Sequence, residues 1–112
     1  MNPLTIGKRY VLRLPDNHTL GRVHIRRLED DWAEGSFTED EAFAELRPLF
    51  EEEAELRNDQ IIPLWEKAAN RIESLRIQVV GEDGQVYSRM RIVIEGKEAF
   101  LSLPLKPTEA RS

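Results

Sequence analysis

The sequence predicts an α+β fold in which two helices pack on one face of an antiparallel sheet of about five strands. Apolar and polar residues alternate near both ends of the chain, which is typical of half-buried strands. The middle of the chain instead has apolar residues at helical spacing, and the helices are not interleaved with strands. The predicted element order is ββααβββ, in a single domain over residues 1–112 with a flexible tail at 104–112.

The first two strands are predicted as a hairpin. In KRYVLRL, Tyr10 and Leu12 share one face, and in GRVHIRRL the residues Val23 and Ile25 do the same. The segment between them, PDNHT, is rich in residues that favour turns. Leu20, like Leu28, falls on the same face as the arginines, so the ends of the second strand are expected to bend or bulge.

The first helix is predicted to begin at Thr38. The segment TEDE has the pattern of a capping box, in which the Thr38 hydroxyl and the Glu41 carboxylate each accept a bond from a free backbone amide. Pro48 has no backbone N–H and restricts the residue before it, so a kink or break is expected near Arg47.

The second helix is predicted to follow Asn58 or Asp59 as its cap, with Pro63 in its first turn. After this helix the two-residue period returns in RIQVV, QVYSRMRIVI and EAFLSL, which are separated by the glycine-containing turns GEDG and EGK. The predicted core consists of Leu12, Val23, Ile25, Phe43, Phe50, Trp65, Ile72, Met90, Ile92 and Leu101.

Composition excludes several classes of protein. The chain contains no cysteine, so it has no disulfide, thiol nucleophile or cysteine-ligated metal. No apolar run approaches the ~18 residues of a membrane span, and a cytoplasmic protein without a membrane partner is expected. The net charge of −5 disfavours general nucleic-acid binding. The charge is uneven, because residues 38–75 carry 11 acidic and 4 basic residues while residues 8–27 carry six bases and one acid.

The run RRLEDDWAEGSF is the densest cluster of acids beside an aromatic residue. A cation site or a small enzyme with an acidic site at Glu29–Glu34 is one hypothesis, since carboxylates suit hard divalent ions. However, adjacent residues of an extended strand point to opposite faces, so Asp30 and Asp31 are not expected to converge. A structural interpretation is favoured, as a strand or tight turn in which Trp32 packs inward as an anchor and Gly35 is a pivot before a helix.

Catalytic motifs are missing elsewhere in the sequence. There is no GxSxG serine frame, and the two histidines, His18 and His24, do not have the spacing of a helical zinc motif. The glycine-containing turns lack the spacing of a phosphate-binding loop. The acidic run EEEAE, residues 51–55, is interpreted as a solvated helix face. No catalytic residue, metal site or cofactor is therefore predicted.

The favoured candidate site is an arginine-rich sheet face pointing away from the helices. Arginine and aromatic residues are enriched in protein interfaces, whereas lysine and glutamate dominate ordinary surfaces. The leading hypothesis is a non-enzymatic module that binds a protein partner or a second copy of itself; RNA or single-stranded nucleic acid on the same face is the alternative. A third interpretation is that the arginines only pair with neighbouring acids. The candidate residues are Arg9, Arg13, Arg22, His24, Arg26, Tyr87, Arg89, Arg91 and Phe100.

Overall fold

A computed structural model of the chain describes residues 3–102, so the predicted tail at 104–112 lies outside the described residues. The fold is α+β, with two helices and an antiparallel sheet of seven strands curved into a half-barrel. The strands are β1 (Arg9–Arg13), β2 (Thr19–Leu28), β3 (Trp32–Glu39), β4 (Gln78–Gly81), β5 (Val86–Tyr87), β6 (Arg91–Glu95) and β7 (Glu98–Ser102). A short 3-10 helix (Glu41–Glu45), α1 (Arg47–Asn58) and α2 (Ile62–Ser74) lie between β3 and β4.

The predictions of five strands and of the order ββααβββ were wrong in two places. The stretch Trp32–Glu39, interpreted as a strand or tight turn and left out of the predicted element order, is the strand β3, whose inward positions are Ala33, Gly35 and Phe37. Two of these residues are small, so the apolar alternation that marks a strand is weak in the sequence. The predicted single strand QVYSRMRIVI is divided into β5 and β6, because Arg89 has a positive φ of 66° that ends the extended conformation.

The sheet order is β5-β4-β1-β2-β3-β7-β6. The three N-terminal strands therefore form the middle of the sheet, with β4 and β5 added beside β1 and with β7 and β6 added beside β3. Two register irregularities in β2 leave Leu20 and Arg26 as extra residues. The irregularity at Leu20 turns this side chain into the core, where it is fully buried, so the expected departure from alternation in β2 is confirmed.

The helix boundaries differ from the predicted ones. Thr38 belongs to β3, where it pairs with Arg22, and the 3-10 helix that follows has Asp40 at its N-cap without a side-chain capping bond. Pro48 lies in the first turn of α1, so the predicted break near Arg47 is confirmed.

The second helix also begins later than its predicted cap. Asn58 is the last residue of α1, Asp59 is its C-cap, and α2 follows Ile61 with Pro63 in its first turn. A left-handed Gln60, with a φ of 59°, ends α1, and the N–H of Ile61 donates to the Leu56 carbonyl at 3.0 Å. This is the bond pattern of a Schellman motif, so α1 is stopped by its own backbone rather than by a glycine.

One hydrophobic core lies between the sheet and the helices. Nine of the ten predicted core residues are buried; the exception is Trp65, which is half-buried. At the entry to the 3-10 helix, the rings of Phe37 and Phe43 pack edge to face with their centres 5.0 Å apart. Among residues 3–102, no helix has the length and apolar character that a membrane crossing requires.

Candidate functional site

A groove of about 520 Å³ opens on the sheet face that points away from the core. Its lining comes from four neighbouring strands and consists of Arg9, Val11, Arg22, His24, Ser36, Thr38, Val80, Gly81 and Glu82. Strand register arranges most of these residues in two rows. One row runs Arg9, His24, Ser36, and the next runs Val80, Val11, Arg22, Thr38. The site is thus built on regular strands.

Arg9 and Arg22 are the principal charges of the groove. In the strand register Arg9 lies opposite His24, and Val11 lies opposite Arg22. The two arginines are therefore diagonal neighbours, with Cα atoms about 7–8 Å apart. Both side chains are exposed, and neither has an ion pair with any residue in 3–102. The one acid of the groove, Glu82, lies 3.8 Å from the ammonium group of Lys8.

Four other arginines are paired with acids, whereas Arg26, Arg76, Arg89 and Arg91, like the groove arginines, have no ion pair within residues 3–102. Arg27 lies 3.3 Å from Glu34, and Arg71 lies at the same distance from Glu52. Arg47 pairs with Glu39. The contrast with the groove follows from register, because the residues opposite Arg9 and Arg22 are a histidine, a valine and a threonine rather than acids.

Neutral donors complete the groove. The hydroxyls of Ser36 and Thr38 are next to His24 and Arg22 across β2 and β3. Hydroxyls, guanidinium groups and an imidazole N–H all donate hydrogen bonds to oxyanions. Val11 and Val80 supply an apolar part of the lining. The arrangement suits an anionic group carried on a partly apolar ligand.

The remaining candidate residues are not gathered in this groove. Arg13 is half-buried and donates to Gln78 Oε1 at 2.9 Å, while Arg26 is the exposed extra residue in β2. Arg89 lies in the turn before β6, and Arg91 begins β6 at the edge of the sheet. Of the nine candidate residues, Arg9, Arg22 and His24 are therefore the three that line the groove.

The two aromatic candidates lie apart. Tyr87 is half-buried and packs against the core, with its ring 6.4 Å from Tyr10 in an edge contact. Burial is the main cause that raises the pKa of Tyr87 above its ordinary value. Phe100 does lie on the outer phase of β7, but opposite Glu34 and outside the groove. Tyr87 and Phe100, the two aromatic candidates that could stack bases of a nucleic acid, are therefore not brought together on one surface.

Among the described residues, the carboxylates of the acidic stretch do not form a metal-binding cluster. Asp30 and Asp31 are exposed in the turn between β2 and β3, and Glu34 pairs with Arg27. The Arg27 guanidinium also lies 5.6 Å from the centre of the Trp32 ring. Within the described range of 3–102, no group of three or more histidine and acidic residues has a metal-binding arrangement. These contacts support the structural interpretation of this stretch, but Gly35 lies in the middle of β3 and is not a pivot.

Sequence reasoning missed the charged residue that the fold buries. Glu53 lies inside the acidic run interpreted as solvated, yet its residue exposure is only 2%. Its carboxylate accepts bonds from Arg57 Nε at 2.9 Å and from the indole Nε1 of Trp65 at 2.7 Å. The bonds to Glu53 raise the pKa of Arg57 above its ordinary value. The signal in the sequence was the (i, i+4) spacing of Glu53 and Arg57.

The histidine outside the groove has a local role. His18 Nδ1 lies 2.9 Å from Asp16 Oδ2, in the turn between β1 and β2. Hydrogen bonding to His18 lowers the pKa of Asp16. The backbone N–H of His18 also donates to Asp16, so this pair shapes the turn and does not approach the groove.

In comparisons with known proteins, no family model, no curated protein and no solved structure matches the chain at a significant level. Its function therefore has to be inferred from the chemistry of the groove.

Proposed function

We propose that this protein is a non-enzymatic binding module that holds an acidic segment of a protein partner in the groove between β4 and β3. The observation that carries the proposal is that Arg9 and Arg22 both line the groove and that neither arginine has an ion pair with a carboxylate among residues 3–102. Two neighbouring guanidinium groups recognise carboxylates through paired hydrogen bonds. A volume of about 520 Å³ accommodates a few side chains of a bound segment.

A protein segment is favoured over a nucleic acid by the charge and by the aromatic positions. The net charge is −5, so an extended polyanion would approach an acidic molecule. Base stacking would require exposed aromatic rings beside the arginines, whereas Tyr87 packs against the core. Two arginines with a short apolar lining suit one or two carboxylates on a peptide better than a row of phosphates.

The test uses a fluorescent synthetic peptide of alternating glutamate and valine, with binding measured by anisotropy. The double variant R9E/R22E is expected to weaken binding at least about tenfold, because it replaces two charge-assisted contacts with repulsion. The control R76E/R89E makes the same change in net charge at exposed arginines outside the groove and is expected to bind like the wild type. Added salt is expected to weaken wild-type binding.

Three results would overturn the proposal. The first is equal binding of the peptide by the wild type and by R9E/R22E. The second is an equal loss in the control, which would indicate a general effect of net charge. The third is tighter binding of single-stranded oligouridine than of the peptide, with the same dependence on Arg9 and Arg22, which would favour nucleic acid instead.

A further inference from the structure

The strand β6 lies at an edge of the sheet. Along the described residues it pairs with β7 on one side and with no strand on the other. Its inward residues, Ile92 and Ile94, are buried in the core, whereas Arg91, Val93 and Glu95 are on the outer phase. An edge strand presents backbone donors and acceptors that another strand can use. The opposite edge, β5, has only two residues and offers far less.

The sequence of β6, Arg-Ile-Val-Ile-Glu, is complementary to itself in an antiparallel arrangement. When two copies pair around Val93, Arg91 of each copy lies opposite Glu95 of the other, and Ile92 lies opposite Ile94. Opposite charges across a strand pair are favourable, and like charges are unfavourable. A parallel in-register pairing would instead place arginine against arginine, so the charges select the antiparallel register.

Arg91 and Glu95 can each form an ion pair with the other residue in a second copy of β6. Arg91 is exposed and has no ion pair with an acid anywhere in residues 3–102. The Glu95 side chain is 45% exposed and accepts from Arg57 at 3.4 Å and from Asn58 at 3.1 Å. A carboxylate has about four acceptor positions, so Glu95 can accept a further bond.

An apolar patch lies at the same end of the molecule as Glu95. Asn58, which donates to Glu95, is followed after a short turn by Ile61, Ile62 and Leu64, with exposures of 41%, 52% and 51%. Three of the five exposed large hydrophobic residues described are therefore in this patch. Exposed apolar clusters mark association surfaces. In the antiparallel arrangement the Glu95 end of one copy lies beside the Arg91 end of the other, so the patch of each copy lies toward Arg91 of the second copy.

We infer that β6 pairs with β6 of a second copy, so that two seven-stranded sheets become continuous across a twofold axis at Val93. The same surface patch meets itself in such an interface, which is the commonest symmetry of soluble oligomers. This surface is separate from the groove, and the inference does not depend on the proposed peptide binding.

The test is a charge exchange read out as the dissociation constant of the dimer, from light scattering over a wide range of concentration. The single variants R91E and E95R each create two like-charge contacts per dimer and are expected to weaken association at least about tenfold. The double variant R91E/E95R restores opposite charges at both positions and is expected to recover most of the affinity. The variant E95Q measures the effect of losing only the Glu95 charge.

A second variant keeps the inference testable if a charge reversal prevents folding. V93K places two lysines at the twofold axis and is expected to give a monomer with a normal circular dichroism spectrum. A wild-type chain that stays monomeric at every concentration would overturn the inference. So would an R91E variant that dimerises like the wild type, or a dimer that persists in V93K. The groove variant R9E/R22E is expected to dimerise normally.

Discussion

The indole Nε1 of Trp65 donates a hydrogen bond to Oε2 of Glu53 at 2.7 Å, joining α2 to a buried carboxylate of α1. The same oxygen accepts from Arg57, which also reaches Glu95 at the end of β6. One acidic residue thus connects both helices to an edge strand of the sheet. A buried carboxylate is tolerated here because its oxygens are bonded to an indole and a guanidinium.

Removal of the Glu53 carboxylate is expected to be strongly destabilising. In E53A the Trp65 N–H and the Arg57 guanidinium lose their acceptor, and the free energy of unfolding is expected to fall by about 3–5 kcal/mol. Urea unfolding followed by circular dichroism measures this change. The control E52A removes an exposed acid that pairs with Arg71 and is expected to cost less than about 1 kcal/mol. Equal stabilities of the two variants would contradict the role assigned to Glu53.

Replacement of Gln60 by glycine is expected to stabilise the protein. Gln60 is in the left-handed conformation after α1, with a φ of 59°, and glycine adopts this conformation without a steric penalty. The expected gain in Q60G is about 0.5–1 kcal/mol, since part of the advantage is lost to the greater entropy of the unfolded glycine. Thermal unfolding at matched concentration detects it.

The matched control for Gln60 is N70G, an equivalent change at an exposed position inside α2. This variant is expected to lose stability, because glycine is unfavourable in a helix interior. A melting temperature lowered in both variants would show that the conformation of Gln60 is not a source of strain.

The variant G35A is expected to lose about 3 kcal/mol of stability or more. A Cβ atom built on Gly35 would lie 2.2 Å from the carbonyl oxygen of His24 and 2.9 Å from a Val23 methyl carbon. Both neighbours are in β2, beside the extra residue Arg26, so the central strand pair would have to separate. Chemical unfolding measures the loss, with S36A as the neighbouring control on the outer face. Stability unchanged in G35A would mean that β2 moves aside at little cost.

The stability of the protein is expected to decrease above about pH 10, where an unperturbed tyrosine titrates. The pKa of Tyr87 is raised, first by burial and then by the charge of Asp83. The folded state therefore keeps the phenol proton at a pH where the unfolded state has begun to lose it. The stability that the protonated Tyr87 phenol contributes is fully present below the pKa of the unfolded state and is lost as pH rises through the pKa of the folded state.

The phenol absorbance at 295 nm checks the titration directly. A component that ionises later than free tyrosine is expected in the wild type and should be lost in Y87F. Unfolding at several alkaline pH values should show a smaller decline in Y87F than in the wild type. If the late component persists in Y87F, the shifted pKa belongs to another residue.

The sequence predicted the fold class and most of the core because periodicity depends on burial, and nine of the ten predicted core residues are buried. It left the stretch that forms β3 open between a strand and a tight turn, because the inward positions include Ala33 and Gly35 and therefore show little apolar contrast. It also assigned a cap to Thr38, since the TEDE pattern is local, whereas pairing of Thr38 with Arg22 in the sheet depends on a distant strand. The strand β3 and the pairing of Thr38 are both determined by contacts with distant parts of the chain rather than by the local sequence.

The candidate site was predicted only in part. Alternation placed Arg9, Arg22 and His24 on one face, and strand register then brought them together. Tyr87 was assigned to the same face by counting through residues 85–94 as one strand, and the left-handed Arg89 within that range invalidates the count. The (i, i+4) spacing indicates the Glu53–Arg57 pair, but the burial of Glu53 also depends on Trp65 of α2, whose contact arises only from three-dimensional packing.

The interleaved sheet order has a consequence for the time course of folding. The meander β1–β3 joins residues close along the chain, whereas β4 reaches β1 across contacts such as Arg13–Gln78, 65 residues apart, and β7 returns to β3 across a similar separation. The chain loses the entropy of closing such long loops before it gains the free energy of strand pairing. Chains with such high contact order fold in about milliseconds to seconds. The N-terminal meander is thus expected to act as a template, whose two open sides stay exposed to other chains until the C-terminal strands arrive.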